Sequence, residues 1–146
     1  MAGFFTCRGR LPRVAESAVP LVYENTIHET LGIEIVDASS DRVVLEMEVS
    51  PRVHQPMGLL HGGASAVIAE SAASIGAYMN CEPGVEFAVG IDLNISHLKG
   101  KREGKVIATA TPIRKGRTVQ VWNIELSDDE DALVAVARCT LAVRKF

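Results

Sequence analysis

A chain of 146 residues, 47% hydrophobic and 23% charged, has the size and balance of one globular domain with apolar material for a core. Its net charge of −3 excludes the broad basic excess of a nucleic-acid binder. No apolar run approaches the ~20 residues that cross a bilayer, and Cys7, Cys81 and Cys139 lack metal-ligand spacing, as ordinary thiols of a reducing cytoplasm would.

The first residues, "MAGFFTCRGRLPR", carry their arginines after a brief apolar patch. That order does not suit a secretory signal, so residues 1–20 are expected to form a loose basic arm and residues 21–146 the domain. From Leu21 a short helix is expected, with Asn25 capping "TIHETL" and Gly32 ending it. Two strands follow. In "GIEIVDA" Ile33 and Ile35 share a face. In "RVVLEMEVS" Val43, Leu45, Met47 and Val49 point inward while Glu46 and Glu48 point out. Pro51 to Leu60 reads as a loop.

A long helix opens at His61 or Gly62 and continues to about Asn80. Four more strands are expected after it: "FAVGIDLNISHL", "GKVIATATPI", "RTVQVWNIEL" and "ALVAVARCTLAV". The first should place Val89, Ile91, Leu93, Ile95 and His97 on one face. Short connections, "KGKRE", "RKG" and "SDDED", predict antiparallel hairpins and a four-strand meander. The expected class is α+β: one long helix against an antiparallel sheet of about six strands.

The helix is apolar on nearly every side, which predicts burial all round and a second subunit closing whatever the sheet leaves open. One residue conflicts with that. Glu70 is an ionisable carboxylate amid alanines, and an unpaired buried charge costs several kcal/mol. It either reaches solvent at a groove or pairs for structural reasons, or it serves as a base or nucleophile. Ser74 lies one turn on, on the same face, where it can hold the carboxylate or a water.

The start of the helix carries a second feature. Gly62 and Gly63 have backbone N–H groups without intrahelical partners and no side chains to keep a ligand oxygen away. The helix dipole favours negative charge there, so an oxyanion hole is possible. A tight loop-to-helix junction would also explain two glycines. Gly62 and Glu70 stand eight residues apart, about 12 Å at ~1.5 Å per residue. One reacting carbonyl needs both its polarising donor and its attacking group within ~3.5 Å. The pair therefore predicts a homodimer in which antiparallel helices share each site between subunits.

"HQPMGLLHGGASAVIAE", followed downstream by "LNISHLK", resembles the hot-dog-fold acyl-CoA thioesterases, in particular the 4-hydroxybenzoyl-CoA thioesterase type with a helix glutamate, which includes the phenylacetate-pathway (PaaI-like) enzymes. The resemblance runs from Leu21 to Val143. It implies a helix wrapped by a sheet, dimers that join their sheets, and dimers of dimers. It implies that Glu70 acts as nucleophile or base, that Gly62 donates to the thioester oxygen, that Gln55 and His61 orient the thioester, that Ser74 positions water and that His97 stands near the substrate's exit. Where close relatives carry a second histidine and an arginine, this chain has Leu98 and Lys99.

Two local basic clusters, one with Lys99 and one with Arg114, Lys115 and Arg117, together with Gly63, are candidates to hold coenzyme A. Each is also ordinary turn charge. No metal or cofactor is expected, with coenzyme A arriving as part of the substrate, and neither nucleic acid nor membrane is expected as a partner. The expected activity is hydrolysis of a small acyl- or aroyl-CoA thioester. A hydroxyacyl dehydratase or hydratase, or a non-catalytic acyl-CoA-binding module, are the alternatives. A histidine at the start of the helix beside the glycine pair favours the thioesterase layout.

Overall fold

The computed structural model describes Arg13–Val14 and residues 23–146. Most of the expected basic arm lies outside the described residues. Its one described piece, β1 (Arg13–Val14), pairs in parallel with β2 (Ile33–Ala38). The remaining strands are β3 (Val43–Glu48), β4 (Glu86–His97), β5 (Lys105–Lys115), β6 (Val119–Asp128) and β7 (Leu133–Lys145), so the six expected strands are all present and pair antiparallel.

The short helix α1 is Ile27–Leu31, later than Leu21. Thr26, not Asn25, holds the N-cap position; Asn25 adopts φ 60° and its N–H reaches the Glu29 carboxylate at 2.5 Å. Gly32 closes α1 with φ 69°, a left-handed conformation in which a side chain would be strained. The long helix α2 runs Gly62–Tyr78.

Strand order departs from the expected meander. The sheet runs β1-β2-β3-β5-β6-β7-β4. The "RKG" and "SDDED" hairpins form, but β4 pairs with β7 and β5 pairs with β3. Residues 98–104 therefore carry the chain across three strand spacings, about 14 Å at ~4.8 Å each. Seven residues reach roughly 23 Å when extended, so a connection short enough for a hairpin is also long enough for this crossing.

The register explains how the sheet takes the helix. One row across it reads Val43, Ala110, Ile124, Ala137, Ile95. The next reads Leu45, Ala108, Leu126, Ala135, His97. Large and small side chains alternate, which leaves a furrow for α2. Its buried positions, among them Ala64, Ile68, Ala69, Ala72, Ala73 and Gly76, recur at helical spacing along the covered face. At its far end Gln120, wholly buried, donates to the Ala77 carbonyl at 3.1 Å and accepts from the Trp122 indole N–H at 3.2 Å. Both polar side chains are thus satisfied inside the core.

Within one chain α2 is not buried all round. Gly63 and Glu70 are exposed and Val67, Ser74 and Tyr78 are half-buried, forming an open stripe opposite the sheet. Glu70 reaches solvent at a groove.

Candidate active site

The expected site residues fall into separate groups along α2. At its N-terminus, His61 is the N-cap and its Nδ1 accepts from the Gly63 N–H at 2.8 Å. An accepting Nδ1 places the neutral ring's proton on Nε2, facing away from the helix. Gly63 is thereby engaged locally. The Gly62 N–H has no partner among the described residues.

His97 arrives from β4 through the second row of the register. Its ring lies so close that a Cβ added at Gly62 would sit 3.0 Å from Cε1 and 3.2 Å from Nε2. Glycine at 62 thus admits the imidazole, and the backbone donor stands beside it. Gln55 lies on the adjoining loop, which an isolated bridge between His54 and Leu60 closes. The Gln55 side-chain oxygen accepts from the Met57 N–H, curling the loop onto itself. Arg102 ties that loop from outside, donating to the Met57 and Gly58 carbonyls at 3.2 and 3.3 Å, while His54 Nε2 meets the Arg102 carbonyl at 2.8 Å.

Glu70 and Ser74 lie further along, on the open stripe. They line a groove of about 490 Å3 between α1 and α2. Three residues not anticipated from the sequence share it: Tyr23, His28 and Ser71. His28 Nε2 is 2.7 Å from Ser71 Oγ, and the His28 ring stacks on Tyr23 with centroids 5.0 Å apart. Burial holds the His28 pKa below its ordinary value and pushes that of Tyr23 up. The 43 residues separating Ser71 from His28 explain why no local pattern announced the pair.

Gly90 is also new to the site. The β4 register shifts between Gly90 and Asp92. Beyond this bulge the alternation changes phase, so Ala88 and Gly90, with Leu93, Ile95 and His97, face the helix. Val89 and Ile91 do not belong to that face; they stand 41% and 58% exposed, contrary to the expected alternation. A Cβ at Gly90 would overlap Glu70 Oε1 outright. The carboxylate occupies the space a side chain would fill.

The basic clusters lie apart. Lys99 is bound to Asp128 at 2.8 Å. The Asp128 carboxyl is held down at about 2, first by that ammonium and then by the Ala132 N–H. Arg114, Lys115 and Arg117 sit at the β5–β6 turn by the C-terminal end of α2, where Lys115 meets Asp41 at 2.6 Å. Among the described residues no cluster of side chains could hold a metal ion, and no helix is long and apolar enough to cross a membrane.

A helix packed on an antiparallel sheet, with a glycine N–H at its start that has no partner among the described residues and a carboxylate on its open face, is the hot-dog arrangement. The thioesterase superfamily model matches residues 57–135, and the chain belongs to that family. It is 47% identical over 119 residues to the 1,4-dihydroxy-2-naphthoyl-CoA hydrolase of Listeria monocytogenes, covering 82% of this chain and 96% of the relative. A thioesterase from Pseudomonas aeruginosa, solved with a glutamine-to-alanine change, superposes with a TM-score of 0.81 at 41% identity, covering 84% of this chain and 88% of that one. A Staphylococcus aureus protein solved with a glutamate-to-alanine change gives 0.80 at 34% identity, covering 82% and 98%. The same protein, there called a thioesterase, was also solved with a glutamine-to-alanine change. Thioester hydrolysis is accordingly the activity of this chain.

Proposed function

We propose that the protein hydrolyses a small acyl- or aroyl-CoA thioester at two sites shared across a homodimer, with Glu70 of one subunit opposite Gly62 of the other. The observation that carries this is the placement of both groups on one unbroken helix. They stand about 12 Å apart along the axis and roughly 80° apart around it, so neither can join the other on a single carbonyl within one chain. A second, antiparallel α2 laid against the open stripe removes the conflict and covers the Val67 and Tyr78 side chains.

The two positions altered in the Staphylococcus aureus relative are fifteen residues apart. Gln55 and Glu70 have the same separation, which supports both as functional. In the proposed reaction the Gly62 N–H polarises the thioester carbonyl, with Gln55 and His61 orienting it. Glu70 attacks the carbonyl carbon to give an acyl–glutamyl anhydride that a water then hydrolyses, restoring the carboxylate, or it takes a proton from a water that attacks the carbonyl directly; in either case Ser74 positions the water. The C–S bond breaks and the coenzyme A thiolate departs beside His97, taking up a proton from solvent. One water is consumed; acid and thiol are released. No step calls on a metal or resident cofactor.

In the register that brings Glu70 of the partner subunit to Gly62, the partner's helix runs a further eight residues, about 12 Å, past that end. Its 114–117 hairpin then approaches the 54–60 loop, where Arg114, Lys115 and Arg117 can meet phosphates together with the Lys99 turn. This setting belongs to the cytoplasm, where unpaired Cys81 and Cys139 stay reduced. Two such dimers pair into a tetramer in this proposal.

The deciding variant is Glu70→Gln. It should keep its fold by circular dichroism and lose about 10²–10⁴-fold in kcat, the usual size of a general acid–base contribution. Thiol release from short, medium, long and aromatic acyl-CoA esters measures it. Undiminished turnover by that variant would remove Glu70 from the mechanism.

A further inference from the structure

The loop that carries Gln55 is closed by its own backbone and then held by one neighbour. Within it the Gln55 N–H donates to the Leu59 carbonyl at 2.8 Å and the Gly58 N–H to the Gln55 carbonyl at 2.9 Å. Met57 at the tip is 76% exposed, so core packing does not fix it. Residues 101 and 102 do. The Leu60 N–H donates to the Lys101 carbonyl at 2.7 Å. His54 Nε2 donates to the Arg102 carbonyl at 2.8 Å, and since a carbonyl only accepts, this nitrogen carries the ring's proton. The Arg102 side chain returns the contact, donating from one nitrogen to the Met57 and Gly58 carbonyls.

The neighbour is itself fastened. The Leu98 and Lys99 N–H groups donate to the Val134 carbonyl at 2.9 and 3.2 Å. Lys101 Nζ meets Asp129 at 2.5 Å, and the Lys105 N–H donates to the same carboxylate at 3.4 Å. Residues 98–104 therefore brace the loop against the β6–β7 turn. The consequence falls on Gln55. Its side-chain oxygen is taken by the Met57 N–H, leaving its amide N–H groups as donors without a partner among the described residues. Their direction depends on where Met57 stands, and the guanidinium binds the carbonyls on either side of the Met57–Gly58 turn.

We propose that Arg102 and His54 are positioning residues for thioester hydrolysis: each fixes the other's segment, and together they clamp the 54–60 loop so that Gln55 presents its amide to the thioester. This rests on the reading in which Gln55 orients the carbonyl. An exposed arginine could instead serve a phosphate of coenzyme A, and the choice of substrate separates the two roles.

The test uses a matched pair of substrates on the full chain: a coenzyme A ester and the N-acetylcysteamine ester of the same acid, which keeps the thioester and has no phosphate. Arg102→Ala should melt close to wild type and lose about 10- to 10²-fold in kcat on both esters, the scale of a misplaced orienting group. A loss confined to the coenzyme A ester and carried by KM makes Arg102 a phosphate ligand and overturns the proposal. Should Arg102→Ala fold poorly, Arg102→Met keeps the aliphatic stem without the donors and gives the same reading. Arg102→Lys still brings an ammonium to the two carbonyls and should regain part of the loss. His54→Gln keeps a donor near the place of Nε2 and should stay closer to wild type than His54→Ala. A double-mutant cycle then names the group being positioned. In a Gln55→Ala background, Arg102→Ala should change kcat by less than about twofold, because nothing remains to be aimed. An impaired Gln55→Ala on which the Arg102→Ala loss is fully additive overturns the clamp alone. A fully active Gln55→Ala removes Gln55 from the reaction and the clamp with it.

Discussion

Glu70 and Gly90 explain each other. The backbone at Gly90 lies outside the positive-φ region, so conformational freedom is not the reason for glycine there. The reason is the carboxylate, which takes the place of a Cβ. Gly90→Ala should therefore fold normally and push the carboxylate aside. Because displacement of a reacting group by about 1 Å can cost 10²-fold, kcat should fall by up to that factor with KM little changed. Steady-state kinetics give the split. The change should cost far less in a Glu70→Asp background, where the shorter side chain vacates the space, and a double-mutant cycle measures that coupling. Glu70 itself was legible in the sequence because a charge interrupts an apolar helix. Gly90 was not, because a period-two reading carried through the bulge assigns the wrong residues to the inner face. Ser71 and His28 were hidden for another reason: their contact exists only once α1 folds back over α2.

At the scale of elements, the β6–β7 turn governs the exit of β4. The Asp128 carboxylate accepts from the Ala132 N–H at 2.8 Å, the Glu130 N–H at 3.0 Å and the Lys99 ammonium at 2.8 Å. Lys99 follows His97 by two residues, so this anchor fixes the strand end that places the imidazole against Gly62. The native value of about 2 lies below the 3.8 of a free aspartate. The folded protein therefore keeps the charge while the unfolded chain takes up a proton, and the stability from this group is complete above about pH 4 and is lost as pH falls toward 2. Asp128→Asn should lower Tm by several degrees at pH 7. The gap to wild type should narrow between pH 4 and pH 2 in thermal melts; a constant gap would contradict the anchor. The helices and strands were readable from periodicity and turn residues. The β4–β5 relation was not, since seven residues serve a hairpin and a crossing equally well.

For the whole molecule, the open stripe of α2 and the edge that β4 forms among the described residues are the surfaces that the proposed homodimer would use. If the sites are shared as proposed, heterodimers of Glu70→Gln with a chain altered at Gly62, such as Gly62→Val, should regain about half the activity of a wild-type dimer, because one of the two sites is then intact. Co-purification through two affinity tags, followed by thiol-release assay, checks this. Mixed dimers no more active than their parents would place both groups in one subunit. The proposal of a second chain could be drawn from the eight-residue separation of Gly62 and Glu70 in the sequence, whereas the strand order that leaves β4 at the edge of the described sheet depends on pairings between distant segments. That order also sets a schedule. β4 is synthesised before β5, β6 and β7, yet its only neighbour among the described residues is β7. Until β7 emerges from the ribosome, β4 lacks the strand it pairs with, the pairing that carries His97 toward Gly62. The edge formed by β4 is thus completed only after the last strand, β7, exists, so a half-made chain has neither the His97 imidazole in place against Gly62 nor a finished edge for the proposed assembly.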